Sequence, residues 1–191
     1  MFEFNSGSQN GGFFNPGLCS SGSFDTGMDG TFAFNAGAFD TGFFNTGNAN
    51  TGIGNSGNTN TGFWNSGNLN TGVGGFGTPS GVVNSGIGNT GTGNSGFFNS
   101  GSGGYNSGFF NSGDRGYNTG FINSGGGESS GLLNSGSGGN NWGFLNWGSG
   151  GHNTGFMNWG GGDNSGVANA GTDSSGGFNG GTGQSGIFNP A

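Results

Sequence analysis

The chain has 191 residues, of which 55 are glycine, 5% are charged and one is a strong base, giving a formal net charge of −7. That balance excludes a phosphate-neutralising nucleic-acid binder, which needs clusters of Lys and Arg. Hydrophobic residues are 27%, too few for an ordinary layered core, so the chain is either disordered or a thin stack in which each rung buries one or two side chains.

Residues 1–43 carry a ten-residue repeat. Phe followed by Asn or Asp recurs as Phe4-Asn5, Phe14-Asn15, Phe24-Asp25, Phe34-Asn35 and Phe44-Asn45, with Gly two positions on. The pentapeptides between them are irregular until Phe39-Asp40-Thr41-Gly42, as terminal repeats of a stacked fold often are. Asp25 and Asp40 stand where Asn usually stands. Both side chains bond nearby backbone and tolerate left-handed φ/ψ, so the position reads as a turn that does not require an amide.

Residues 44–72 are the most regular. Asn45, Asn50, Asn55, Asn60, Asn65 and Asn70 are each followed by Thr or Ser and then Gly. The residue after each Gly alternates (Asn48, Ile53, Asn58, Phe63, Asn68, Val73), so the unit is a pair of pentapeptides with one polar and one apolar face. Residues 73–83 break the register and include Pro79, which lacks a backbone donor. The expected organisation is a first stack over 1–72, an irregular insertion over 73–83 and a second stack over 84–191.

From Asn94 the unit lengthens to 12 residues, as five plus seven. Units start at Asn94, Asn106, Asn118, Ser129, Asn141, Asn153 and Asn164, and two of these six steps are 11 residues. Each carries an apolar pair before a second Asn, such as Phe97-Phe98-Asn99 and Phe156-Met157-Asn158. The seven-residue arms are Gly-rich, with a variable tip: Tyr105, Tyr117, Glu128, Asn140, His152, Asp163.

No stretch shows a 3.6-residue apolar period, and Gly at every fifth position would dismantle a helix. The expected fold is all-β: a β-solenoid, or β-helix, of tandem pentapeptide pairs in 10–12-residue units. Gly supplies positive φ at the turns. Asn45 to Asn70 stack as a hydrogen-bonded ladder, and Phe97, Phe109, Phe121, Phe144 and Phe156 stack as aromatic ladders filling a narrow interior. A ten-residue coil leaves little room for Phe inside, so two units per coil are expected.

The motif Asn-x-Gly-x-Gly-Asn-x-Gly occurs at Asn50–Gly57, Asn84–Gly91 and Asn89–Gly96. It resembles the mycobacterial pentapeptide repeat in the major polymorphic tandem repeat branch of the PPE proteins. The resemblance covers nearly the whole chain. It implies a cell-surface or secreted location, export by type VII secretion, and a host or cell-envelope partner. The family's N-terminal helical domain with its Pro-Pro-Glu signature has no counterpart here, and the chain opens and closes in mid-repeat, as a fragment or truncated reading frame would. A second family, the four-sided pentapeptide helices that mimic DNA, shares the five-residue period. It has a large apolar residue where this chain has Ser or Thr, and this surface charge is too sparse for a DNA mimic.

Sharper motifs carry little. Gly72-x-Gly74-x-x-Gly77 and two similar runs match a dinucleotide fingerprint without the strand, helix and acid that it needs. His152 has no second His, and Cys19 stands alone, so neither a metal nor a nucleophilic site is expected. Asp114-Arg115 reads as a solvated pair. Gly160-Gly161-Gly162-Asp163 only faintly echoes a calcium-binding repeat. No cofactor is expected. No apolar run approaches the ~20 residues of a membrane helix, and no signal peptide of the usual kind is present.

Trp147 and Trp159 follow the second Asn of their units, 12 residues apart, and should form a stripe for a glycan or protein partner. Thr41, Thr46, Thr51, Thr61 and Thr71 suggest an ice- or glycan-binding face, interrupted at Ser56 and Ser66. The expected function is a non-catalytic structural or surface-display repeat protein that self-associates through its open ends. The alternative is a disordered or self-assembling Phe/Gly/Asn-rich segment.

Overall fold

The computed structural model describes residues 4–75, 83–113, 115, 117–138 and 140–190. The chain forms two compact units, Met1–Gly91 and Thr92–Ala191. Each is a parallel β-solenoid, and the described residues contain no helix.

In the first unit, three-residue strands alternate between two parallel sheets. One sheet includes Thr41–Phe43, Thr51–Ile53, Thr61–Phe63 and Thr71–Val73; the other includes Thr46–Asn48, Ser56–Asn58 and Ser66–Asn68. Thr41 pairs with Thr51, and Thr51 with Thr61, so one coil is ten residues and holds one pentapeptide pair. The expected coil of two units is therefore wrong, and the reason lies inside.

Among the described residues no hydrophobic side chain is buried, whereas Asn45, Asn50, Asn55, Asn60, Asn65 and Asn70 are 0–1% exposed. Phe does not need room in the interior because it is not there. Asn fits because its flat amide satisfies every neighbour. Asn55 Nδ2 donates to Asn45 Oδ1 (3.1 Å), to Thr51 O in its own coil (3.3 Å) and to Gly62 O in the next (2.9 Å). Asn55 Oδ1 accepts from the backbone and side-chain N–H of Asn65, both at 3.1 Å.

The turn also differs from expectation. The residue that adopts the left-handed conformation is the one before Asn: Phe44 (φ 58), Ala49 (57), Thr59 (59), Trp64 (52), Leu69 (63). That conformation costs a residue with a Cβ roughly 1–2 kcal/mol, and it rotates the following Asn inward. The strand-centre glycines have a different task. A Cβ on Gly52 (φ +125) would overlap the carbonyl oxygen of Gly62 in the next coil, so Gly there lets the coils approach. Phe32 takes this place in one coil, at φ +81, with its ring 5.6 Å from Phe43.

The expected insertion over 73–83 falls largely on residues 76–82, outside the described residues. On either side of them Thr71–Val73 and Ser85–Ile87 pair directly, Thr71 against Ser85.

The second unit repeats the plan with longer coils. Ser95, Ser107, Thr119, Ser130, Trp142, Thr154, Ser165, Ser175 and Ser185 pair in succession, at the 12- and 11-residue steps read from the sequence and then at ten. The second strand shortens to two residues, as in Ser135–Gly136, Trp147–Gly148 and Trp159–Gly160, and the seven-residue arm follows it. The expected Phe ladder forms, but on the outside. Phe97 and Phe109 stack at 4.8 Å and Phe144 and Phe156 at 5.1 Å; Phe109 and Phe121 are tilted at 6.0 Å. Phe144 is half-buried and the other four are exposed.

Candidate functional site

Trp147 and Trp159 open the short strands of successive coils and pair in register. Their rings stack at 5.6 Å and 18°. On the other side, Trp147 pairs with Ser135, which pairs with Ser124. The column therefore steps from small side chains to large ones, and among the described residues no ring covers the Ser135 side of Trp147. At the step lies a shallow groove of ≈ 500 Å³, lined by Ser135, Ser137, Ser149, both tryptophans and intervening glycines. An indole face beside serine hydroxyls offers a stacking platform with hydrogen-bonding groups at its rim. Trp142 stands elsewhere, in the long-strand column between Ser130 and Thr154, with its Nε1–H donating to Glu128 O (3.2 Å).

The arm tips form a second ladder that sequence reasoning missed. Glu128 N–H donates to Asn140 Oδ1 (2.7 Å), Asn140 N–H to His152 Nδ1 (3.3 Å), His152 N–H to Asp163 Oδ1 (2.8 Å) and Asp163 N–H to Asp173 Oδ1 (2.9 Å). The signal was the acceptor atom shared by Asn, His and Asp. Tyr105 and Tyr117 stack at 5.5 Å at the equivalent tips. The Asp114-Arg115 pair falls outside the described residues, since Asp114 is not among them.

Asp25 and Asp40, expected to be turn residues indifferent to the amide, lie instead in the interior, 1% exposed. Asp25 Oδ1 plays the part of an Asn Oδ1, accepting from Asn35 N (2.9 Å) and Nδ2 (3.2 Å), and Asp40 Oδ1 does the same for Asn50 (2.8 and 3.0 Å). Each Oδ2 then takes the place of the missing amide nitrogen and has no hydrogen-bond partner. Burial pushes both carboxyls above the usual range, against the lowering effect of the Asn35 and Asn50 donors; the charge of Asp25 raises Asp40 further. The hydroxyls of Ser20 and Ser129, also in the Asn column, are likewise buried without a partner.

Cys19 is exposed, with its thiol 3.2 Å from Gln9 Oε1. Among the described residues no three His, Cys, Asp or Glu gather as a metal site, and no helix is long and apolar enough to cross a membrane. The Thr column is more regular than the spacing suggested. Thr31, Thr41, Thr51, Thr61 and Thr71 follow one another on one sheet, while Ser56 and Ser66 belong to the other.

In the first unit the coils are ten residues long, with Asn inside and Gly at nearly every strand centre. Residues 29–68, and again 39–78, match the family model of pentapeptide repeats (8 copies). A pentapeptide-repeat family is detected. The matched pentapeptide repeats span 29–78, all within the first unit. No curated protein matches the chain.

Proposed function

We propose that this chain is a non-catalytic structural repeat protein that displays aromatic columns to partners at a cell surface or in secreted form, like the PPE tandem-repeat region its motif resembles. One observation carries the reading. The Asn column is spent inside, holding coil to coil, while the large apolar side chains face outward. An interior of hydrogen-bonded amides supplies a scaffold, and an exterior of ring faces supplies contacts.

The Trp147–Trp159 step is the binding site within this reading, and its ligand is a neutral saccharide. An indole face attracts the polarised C–H groups of a sugar ring, the serines at the rim meet its hydroxyls, and an acidic protein does not attract anionic glycans. Titrating the protein with neutral hexasaccharides while following tryptophan emission should give a saturable shift. Trp147→Ala should remove it, and Trp64→Ala, in the other unit, should not. A signal that survives Trp147→Ala, or no shift with any neutral glycan, rejects the saccharide assignment.

A further inference from the structure

The first unit carries an apolar edge that neither the interior nor the Trp step explains. Phe4, Phe14, Phe24, Phe34 and Phe44 stack in one unbroken column at 5.0–5.2 Å, with neighbouring rings within 9° of parallel. They sit at the corner where the backbone is left-handed, with φ of 56–60 from Phe14 to Phe44. Gly54 and Gly74 hold the same corner at φ +66 and +62, and glycine adopts it freely. The chain therefore places Phe four times, from Phe14 to Phe44, where Gly fits without strain. The rings protect no core, because each is 44–64% exposed. The left-handed corner itself recurs before Asn50 and Asn60, at Ala49 and Thr59 as at Phe44; what sets this edge apart is the unbroken column of exposed, stacked rings, which points to a role outside the coil.

We infer that this edge is an interface and that its occupant is a second copy of the same chain, paired about a two-fold axis. Pitch is the first reason. Rings repeat every coil, and a second column repeats at the same interval, so ring edges meet along the whole edge. A partner without that spacing drifts out of register after a few rungs. Area is the second. The corner and the residue before it carry nine aromatic side chains from Phe4 to Trp64, each 41–64% exposed. At roughly 150–250 Å² per aromatic side chain, about half of it free, they offer on the order of 900 Å², against ~800 Å² per partner in a stable complex. Charge is the third. Of the acids described in this unit, Asp25 and Asp40 lie in the interior and Asp29 at the opposite corner, in column with Cys19 and Phe39, so none of these described acids lies on the edge to oppose self-pairing.

The test is light scattering behind size exclusion on the full chain, in reductant so that exposed Cys19 cannot cross-link. The wild type should show twice the monomer mass at tens of micromolar and dissociate on dilution. Phe24→Gly/Phe34→Gly/Phe44→Gly, which installs the residue already found at Gly54 and Gly74, should be monomeric with an unchanged circular dichroism spectrum. Phe34→Asn, whose side chain tolerates the left-handed corner, should weaken the dimer by more than about tenfold. Phe39→Gly, at the opposite corner, should leave it intact. A monomeric wild type overturns the inference. So does a dimer, or an open-ended polymer joined at the coil ends, that is indifferent to both edge variants.

Discussion

Asn55→Ala is expected to lower the stability of the chain by about 3–5 kcal/mol, while Phe44→Gly changes it by less than about 1 kcal/mol. This inverts the usual ranking, in which removing an aromatic ring costs more than shortening a polar side chain. Asn55 ties its coil to both neighbours: it reaches back to Asn45, across to Thr51 O and forward to Gly62 O, and it receives both N–H groups of Asn65. Alanine strands the buried Asn65 N–H and leaves an amide-sized void. In a stack where each coil touches only its neighbours, the loss falls on two interfaces at once. Phe44 gives up one ring contact, with Phe34 at 5.0 Å, worth roughly 0.5–1.5 kcal/mol. Glycine returns about the same by relieving the left-handed backbone. Urea titration followed by circular dichroism measures both. A larger loss for Phe44→Gly than for Asn55→Ala would show that the rings, and not the amides, hold the coils together.

Replacing both interior acids, Asp25→Asn/Asp40→Asn, is expected to stabilise the chain at pH 7 by roughly 2–6 kcal/mol, at 1–3 kcal/mol for each orphaned buried oxygen given a donor in its place. The wild type should also respond to pH in a particular sense. Both carboxyls titrate above their unfolded value of 3.8 because burial disfavours the charged form, so between the two values the folded chain binds more protons than the unfolded one. Stability is full below pH 3.8, falls as pH rises through the folded values, and is level above them. The protonated oxygen supplies the donor that the amide supplies in neighbouring coils, which is why acid helps. The double Asn variant should lose this slope. Denaturation midpoints from pH 3 to 8 decide it; a wild type that gains stability across this rise would mean that the carboxylates are satisfied when ionised.

Much of the fold was legible because every coil repeats the same demands. The Asn-[Ser/Thr]-Gly spacing from Asn45 to Gly72 announced the stack, and the lengthened spacing from Asn94 announced the arms. The direction of each side chain was not legible. Hydropathy places Phe44 inside and Asn45 outside; the backbone reverses them, because the left-handed corner at Phe44 turns the next residue inward and its amide satisfies the carbonyls waiting there. The coil size was lost with it, since a five-residue period suits a coil of ten residues or twenty, and the choice rested on making room for rings. Thr41 and Ser56 looked like one interrupted lattice because adjacent pentapeptides belong to different sheets. At the candidate site, the stacking of Trp147 on Trp159 followed from their 12-residue separation. The groove beside them did not, because it depends on Ser135 being the residue in register.

An interior of amides also changes how the chain responds to temperature. The heat capacity of unfolding rises with apolar surface newly exposed to water and falls with polar surface, and ordinary domains gain about 12–15 cal/mol/K per residue. Here unfolding wets a column of Asn side chains, while rings such as Phe44 (58% exposed) are already largely hydrated. The increment measured by calorimetry should be well below the ordinary figure. Its stability curve should then be shallow, with little fading of the driving force on cooling, so that the coils hold together over a wider thermal range than a fat-filled core of equal stability would.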